Sequence, residues 1–322
     1  MAGNTSAREI SGEVKRMMEA AAALAALARV PLFRDAGARE LRVEPLGGLT
    51  NRNFKVIGPA GCYVLRLAGA GSGAFVDRAA EAENARIAAE AGVGAEVVYC
   101  DAADGTMVTR FVAGAAPMDA RGMQDEGAIG RAAAVLRRLH GAAPFANDVD
   151  PFAKIAEYRA LADEGDVALP QGAAEAVAAV AEIRRALAAR PAPPAPCHFD
   201  PTPANFLDTG ARMVLIDYEY AGNGDPLWDL AYLAVEAGFG QAQERGLLAA
   251  YLGRPPQTHE RARMALYLPV CDLLAALWGA LRAEAEDRTD DFRVYAEDRI
   301  ERCRARLDAP ELRRHMESLR RG

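Results

Sequence analysis

Hydrophobic and polar positions alternate along the first third of the chain and recur at helical spacing through most of the rest. Asn53 to Ile57 and Tyr63 to Leu67 alternate as strands, and Gly58-Pro59-Ala60-Gly61 between them has turn composition. Leu41 to Val43, Val97 to Tyr99 and Met107 to Phe111 predict further strands. One helix, Asp77 to Ala91, ends at Gly92. Together these predict a five-stranded antiparallel sheet with one helix. An Ala-rich helix over Ser11 to Arg29, broken by Pro31 and preceded by a loose start over residues 1–10, is expected to pack on it. Beyond this region Ile129, Ala132, Ala133, Leu136 and Leu139 define one face of a helix from Asp125 to Leu139. Helices follow over Phe152–Ala162, Ala173–Ala189, Leu227–Ala237, Ala242–Leu252, His259–Ala285 and Phe292–Arg306. Leu266 to Leu281 is the most apolar stretch and is expected to be buried, with Pro269 kinking or splitting its helix.

One segment breaks the helical rhythm, CHFDPTPANFLDTGARMVLIDYEYAGNGDPLWDLA from Cys197 to Ala231. Two short apolar runs, Phe206-Leu207 and Met213 to Ile216, flank the turn Asp208-Thr209-Gly210-Ala211 and predict a β-hairpin. Antiparallel pairing returns the chain to its start, so Asn205 and Asp217 are expected at the same open end, with Asp200 just ahead. That grouping offers two oxygen ligands for a hard cation and a third group to handle a proton. Mg²⁺ prefers a site with one or two protein oxygens completed by waters and phosphates. Asp225-Pro226 opens the next helix with an N-cap and a proline at the first helical position.

The 322 residues suffice for two lobes with a sizeable core. A net charge of −7 argues against a nucleic-acid partner. Five dispersed cysteines without C-x-x-C pairs indicate reduced thiols in a cytoplasmic protein, not a disulfide framework or zinc site. Met17 to Ala28 is far below the roughly 20 apolar residues a membrane span needs, and the first residues lack a signal-peptide pattern.

The arrangement H-x-D-x-x-x-x-N, here His198, Asp200 and Asn205, followed by a strand-ending Asp217, resembles the core of the protein-kinase-like phosphotransferases. The nearer resemblance is to the aminoglycoside phosphotransferase and choline/ethanolamine kinase superfamily. IDYEYAGNGDPLWDLA is similar to the choline/ethanolamine kinase branch in particular. The resemblance covers roughly Leu46 to Arg282. It implies an α+β, protein-kinase-like two-lobe fold, with an antiparallel β-sheet N-lobe over residues 1–111 and a mostly helical C-lobe over 112–322. It implies an ATP- and Mg²⁺-dependent kinase in which Asp200 is the catalytic base and Asn205 and Asp217 hold Mg²⁺. GGLTNRNFKV resembles the phosphate-covering loop, with Thr50 and Asn51 as donors to the phosphates, in place of the G-x-G-x-x-G of protein kinases. Arg66 stands where protein kinases carry the strand lysine, and Glu81 stands at the position of its helix partner, with Glu83 as rival. Phe111-Val112-Ala113-Gly114 resembles the hinge whose backbone meets adenine.

For the acceptor, the resemblance implies a cation receptor containing Tyr220, Glu236 and Trp278, with Asp272 a weaker member. Ala275 replaces a second tryptophan often found one turn before Trp278, which weakens choline relative to a smaller amine such as ethanolamine. His198 is expected to fix the loop through backbone bonding more than to act as an acid or base, and Asp225 and Asp229 to serve as scaffolding. His140-Gly141 has the form of a helix C-cap. The expected partner is a small amino alcohol, with no nucleic acid and no membrane, and a homodimer is compatible with this reading. Two alternatives stand beside it: an aminoglycoside or other small-molecule phosphotransferase, and a non-catalytic nucleotide-binding module.

Overall fold

The computed structural model describes residues 17–34, 40–47, 51–69, 76–285 and 289–320. These form two compact units. The first comprises the described residues up to Ala115 together with Ile216–Glu219, and the second comprises Ala116–Leu215 and the chain from Tyr220 onward. A cut at 111/112 therefore leaves out the return segment that carries Asp217. Four residues hold too little pattern to announce that they belong with the first unit.

In the first unit β1 (Arg42–Leu46), β2 (Arg52–Gly58), β3 (Gly61–Leu67), β4 (Val97–Asp101) and β5 (Thr106–Arg110) form one sheet in the order β1-β2-β3-β5-β4. Every pairing is antiparallel. The β2–β3 turn closes with Gly58 opposite Gly61, whose φ of +121° side-chain-bearing residues rarely adopt. Phe54 and Val56 of β2, Tyr63, Leu65 and Leu67 of β3 and Val108 of β5 bury one face of the sheet. Ala23, Ala26 and Leu27 of helix α1 (Met17–Leu27), with Val30 and Phe33 after it, cover that face. Helix α2 (Arg78–Glu90) starts at Asp77, whose carboxylate accepts from the Ala79 and Ala80 N–H groups; such a cap stabilises by about 1 kcal/mol.

The second unit is mostly helical: α3 (Glu126–His140), α4 (Pro151–Glu164), α5 (Ala173–Ala188), α6 (Pro226–Glu236), α7 (Gln241–Leu252), α8 (Thr258–Ala285), α9 (Thr289–Leu307) and α10 (Pro310–Arg320). Helix α8 is its centre, and α4, α5, α6, α9 and α10 pack on it. It is long and apolar enough to cross a membrane, but 83% of its apolar window is buried inside the fold, the mark of a core helix. It runs through Pro269 as one helix and is not split there. Helix α10 went unforeseen: only Leu312 and Leu319 of its 11 residues are buried, too few to set a period.

Short strands frame the loops of this unit. β8 (Phe206–Asp208) and β9 (Met213–Leu215) form the expected hairpin, with Phe206 opposite Leu215 at its open end. β6 (Ala116–Pro117) adds to β8, and β7 (Ala195–Cys197) pairs with β10 (Gly222–Gly224). β6, β7 and β10, of two or three residues each, are too short for alternation to reveal and lack the turn that marks the β8–β9 hairpin. Leu277, fully buried in α8, tests the central role of that helix. Leu277→Ala is expected to destabilise the protein by about 2–5 kcal/mol, because the close-packed surroundings relax only partly around the missing atoms. Urea unfolding followed by circular dichroism measures this.

Candidate active site

In the first unit polar and charged side chains are linked in series by hydrogen bonds and ion pairs. Arg66 projects from β3, is 8% exposed, and pairs with Glu81 of α2. Its Nη1 also lies 3.3 Å from Asp217 Oδ1. Arg78, at the first turn of α2, donates to Glu81 Oε2 at 2.8 Å and to Glu219 Oε2 at 3.3 Å. Asn51 Nδ2 donates to the same Glu219 oxygen at 3.1 Å. Burial opposes the charge on Arg66, but Glu81 and then Asp217 outweigh it and hold the guanidinium firmly protonated. Desolvation pushes Asp217 up, with Arg66 opposing and Glu81 adding to the rise. Burial and the Asp217 charge push Glu219 up to about 7. Glu81, Asp217 and Glu219 each place a carboxylate oxygen within 4.8 Å of the other two, a donor set suited to a hard cation. Arg66 Nε and Nη2 and Asn51 Oδ1 are buried without hydrogen-bond partners among the described residues. Unsatisfied buried polar atoms are costly unless a ligand completes them. Asp217 itself has φ +70°, a left-handed conformation a non-glycine residue adopts at a cost of roughly 1–2 kcal/mol.

In the second unit Asp229, fully buried on α6, organises the loop that carries Asp200. Its Oδ2 accepts the His198 N–H at 2.7 Å and its Oδ1 accepts the Phe199 N–H at 2.9 Å. His140 Nε2 lies 3.0 Å from Asp229 Oδ2, and His140 Nδ1 lies 2.9 Å from Tyr251 Oη on α7. A carboxylate only accepts, so the imidazole proton toward Asp229 sits on Nε2, and in the neutral ring Tyr251 donates to Nδ1. His140 is thus a buried bridge from α3 to the loop, beyond the helix cap its neighbour Gly141 suggests. Phe199 has φ +69°, stacks on Trp228 with centroids 4.9 Å apart, and accepts the Trp228 Nε1–H at 3.0 Å. Losing a buried phenylalanine costs about 3–5 kcal/mol, more than the strain of roughly 1–2 kcal/mol, so the stack keeps the conformation in place. Past this point Asn205, at the end of a short 3₁₀ turn, donates to the Asp200 carbonyl at 2.9 Å and lies 3.4 Å from its carboxylate. Arg131 of α3 grips Asp208 on the hairpin at 2.6 and 3.1 Å and holds its carboxyl below the usual range.

An aromatic and acidic cluster lies in the same unit. Tyr232 and Glu236 stand one turn apart on α6, and Tyr295 and Arg299 one turn apart on α9. Glu236 Oε1 takes Arg299 Nη2 at 2.8 Å and faces Tyr295 Oη at 3.4 Å. Arg299 also lies over the Tyr295 ring, 4.8 Å from its centroid. Trp278 of α8 meets Phe292 and Tyr295 edge to face at 5.5 and 6.2 Å. Burial raises the Tyr232 and Tyr295 phenols, and the charge of Asp200 adds to both, so the cluster lies within electrostatic reach of Asp200.

Of the residues expected from sequence, Asn51, Arg66, Glu81 and Asp217 come together in the first unit, and Asp200 and Asn205 in the second. Thr50 lies outside the described residues. Glu83 is exposed and pairs with Arg86, so Glu81 is the partner of Arg66. Trp278 and Glu236 share the aromatic cluster, and Tyr220 is half-buried in the turn before β10. Asp272 is fully buried, faced by Arg299, Arg302 and Arg306 at 3.2, 3.5 and 3.0 Å. Arg78, Glu219, Tyr232 and Tyr295 went unnoticed, and His140 was read only as part of a helix cap. The Glu219 signal was its place two residues after Asp217; nothing in the pattern distinguishes Arg78 from an ordinary helix arginine.

A profile of the phosphotransferase enzyme family matches residues 42–267. The crystal structure of a choline/ethanolamine kinase family protein from Mesorhizobium loti is 41% identical with a TM-score of 0.83, covering 94% of this chain and 100% of that one. The choline kinase LicA of Streptococcus pneumoniae is 26% identical with a TM-score of 0.72, over 83% of this chain and 94% of its own. Protein LicA of Haemophilus influenzae is 26% identical over 268 residues, 80% of this chain and 77% of that protein. The fold is protein-kinase-like, and the chain is a small-molecule kinase. It belongs to the phosphotransferase enzyme family, and within it to the choline/ethanolamine kinase family.

The His140 bridge yields a direct test. His140→Ala leaves Tyr251 Oη and one lobe of Asp229 without their partner, which is expected to cost about 1–3 kcal/mol of stability. Turnover is expected to fall more than nucleotide affinity, because the loop carrying Asp200 loses a support while the first unit is untouched. Thermal unfolding and a kcat against KM comparison measure the two effects.

Proposed function

We propose that this protein transfers the γ-phosphoryl group of ATP to the hydroxyl of a small amino alcohol of the choline or ethanolamine type. The observation that carries this reading is the cluster of Tyr232, Glu236, Trp278 and Tyr295 within electrostatic reach of Asp200. Aromatic faces attract an ammonium or its methylated forms, each contact contributing about 0.5–2 kcal/mol. Glu236 adds negative charge beside them, and Tyr220 is assigned to the same recognition. Asp272 acts through Arg299, since arginines surround its carboxylate. Those arginines also balance the acids of this region, which disfavours the open, acidic cleft that an aminoglycoside needs. With Ala275 in place of a second tryptophan, ethanolamine is favoured relative to choline.

The residues of the first unit suit a nucleotide tail and its metal. Arg66 presents two buried donor atoms without partners among the described residues, which fits phosphate oxygens. Glu81 keeps that guanidinium in place, and Asn51 and Thr50 contribute polar groups at the phosphate loop. Asp217 would hold Mg²⁺, with Glu219 as a further oxygen beside it, and by its place in the motif Asn205 would be another ligand. The ion, when bound, neutralises the charge of the β- and γ-phosphates. Asp200 accepts a hydrogen bond from the acceptor hydroxyl, orients its oxygen, and takes the proton late in the transfer. The working setting is the cytoplasm, with a diffusible small molecule as partner.

ADP release in the presence of choline, ethanolamine and the methylated intermediates, with an aminoglycoside as control, tests the acceptor class. Turnover with at least one amino alcohol is expected; turnover with the aminoglycoside alone would overturn the proposal. Asp200→Asn is expected to lower kcat by about 10²–10⁴ while ATP binding, followed by calorimetry, is retained. Near-normal turnover in that variant would remove Asp200 from the role of base.

A further inference from the structure

Arg78 is not accounted for by phosphate binding or by acceptor recognition, yet it is 8% exposed and lies in the middle of the charged chain of the first unit. That chain reads Asn51, Glu219, Arg78, Glu81, Arg66, Asp217, with each link a hydrogen bond or ion pair. Glu81 divides its two oxygens between two arginines, Oε1 to Arg66 and Oε2 to Arg78. Arg78 in turn uses one nitrogen, Nη1, for both Glu81 and Glu219. Gly105, in the β4–β5 turn at φ +71°, backs its side chain: a Cβ there would stand 3.0 Å from Arg78 Nε and 3.2 Å from Cδ. The guanidinium is therefore held between a glycine wall and two carboxylates.

We infer that Arg78 is a positioning residue: it orients Glu219 as an oxygen donor beside Asp217 and so strengthens the grip of the site on its divalent cation. This inference rests on the assignment of Asp217 and Glu219 to metal binding. Simple charge points the other way. Arg78 is a cation near a cation site, and like charges repel, so removing it would tighten metal binding if charge alone counted. Orientation makes the opposite prediction, since Glu219, still bonded to Asn51, loses the arginine that aims it, and a loosened ligand grips the ion less. Residues that orient metal ligands commonly change affinity by about 10–100-fold when removed. The sign of the change separates the two, and a purely architectural arginine would lower stability with no change in metal affinity.

The experiment measures Mn²⁺ binding to the full chain by electron paramagnetic resonance, in the presence of a non-hydrolysable ATP analogue. Wild type, Arg78→Met, Arg78→Lys, Glu219→Gln and the Arg78→Met/Glu219→Gln double variant are compared, with thermal unfolding alongside. Arg78→Met is expected to weaken Mn²⁺ binding about tenfold or more, and to add little once Glu219 is already Gln. Unchanged or tighter Mn²⁺ binding in Arg78→Met would overturn the proposal, as would a full further loss in the double variant. If Arg78→Met does not fold, Arg78→Lys decides: it keeps the charge, but its ammonium falls one bond short of Nη1 and lacks the fixed orientation of the guanidinium, so a weaker Mn²⁺ site is expected, and wild-type affinity would overturn the proposal. Failure of wild type to bind Mn²⁺ with the analogue would instead defeat the metal assignment itself, and Asp217→Asn provides that control.

Discussion

A single carboxylate, Asp229, determines whether the second unit has a usable loop. Three donors converge on it: the backbone N–H groups of His198 and Phe199 and the imidazole of His140. Buried away from water, it can exist there only because every oxygen is matched, and the loop can keep its left-handed Phe199 only because the N–H groups have somewhere to donate. The Trp228 indole, stacking on Phe199 and donating to its carbonyl, locks the same turn from its other side. Asp200 follows directly, so its direction is inherited from an anchor 29 residues later in the chain.

The first unit solves a different problem. Two arginines and two carboxylates are buried together with a third, half-buried carboxylate, Asp217, an arrangement that desolvation makes expensive unless the charges alternate closely. They do alternate, and the chain from Asn51 to Asp217 leaves acids and bases interleaved. Replacing buried ion pairs with apolar residues is often neutral or stabilising, so such a network argues for a task beyond stability. The buried Arg66 nitrogens without partners among the described residues, and the clustered carboxylate oxygens, are the observations on which the proposed anion and cation sites rest.

In the second unit the same logic extends to α6, α8 and α9. Glu236 and Asp272 are deep acids whose burial raises them toward protonation, and Arg299, Arg302 and Arg306 oppose that rise. The aromatic rings of Trp278 and Tyr295 close over this charged base.

The strands of the first unit, the long helices and the β8–β9 hairpin follow from local pattern. Period-two and helical periodicities are short-range signals, and caps such as Asp77 and Asp225 mark their ends within a residue. Asp200, Asn205 and Asp217 were named from the spacing of one motif, Arg66 and Glu81 from the family resemblance, and the structure pairs Arg66 with Glu81. Other features depended on distance in sequence. The assignment of Ile216–Glu219 to the first unit, the choice of Glu81 over Glu83, and the meeting of His140 with Asp229 each join residues or segments that one-dimensional spacing cannot compare. Arg78, Tyr295 and Asp272 sit in helices whose pattern reveals a face but not a neighbour. Local preference therefore determined which elements form and which residue types were available. Tertiary packing alone decided which charges are buried together, because desolvation and pairing act through space and leave no periodic trace in the chain.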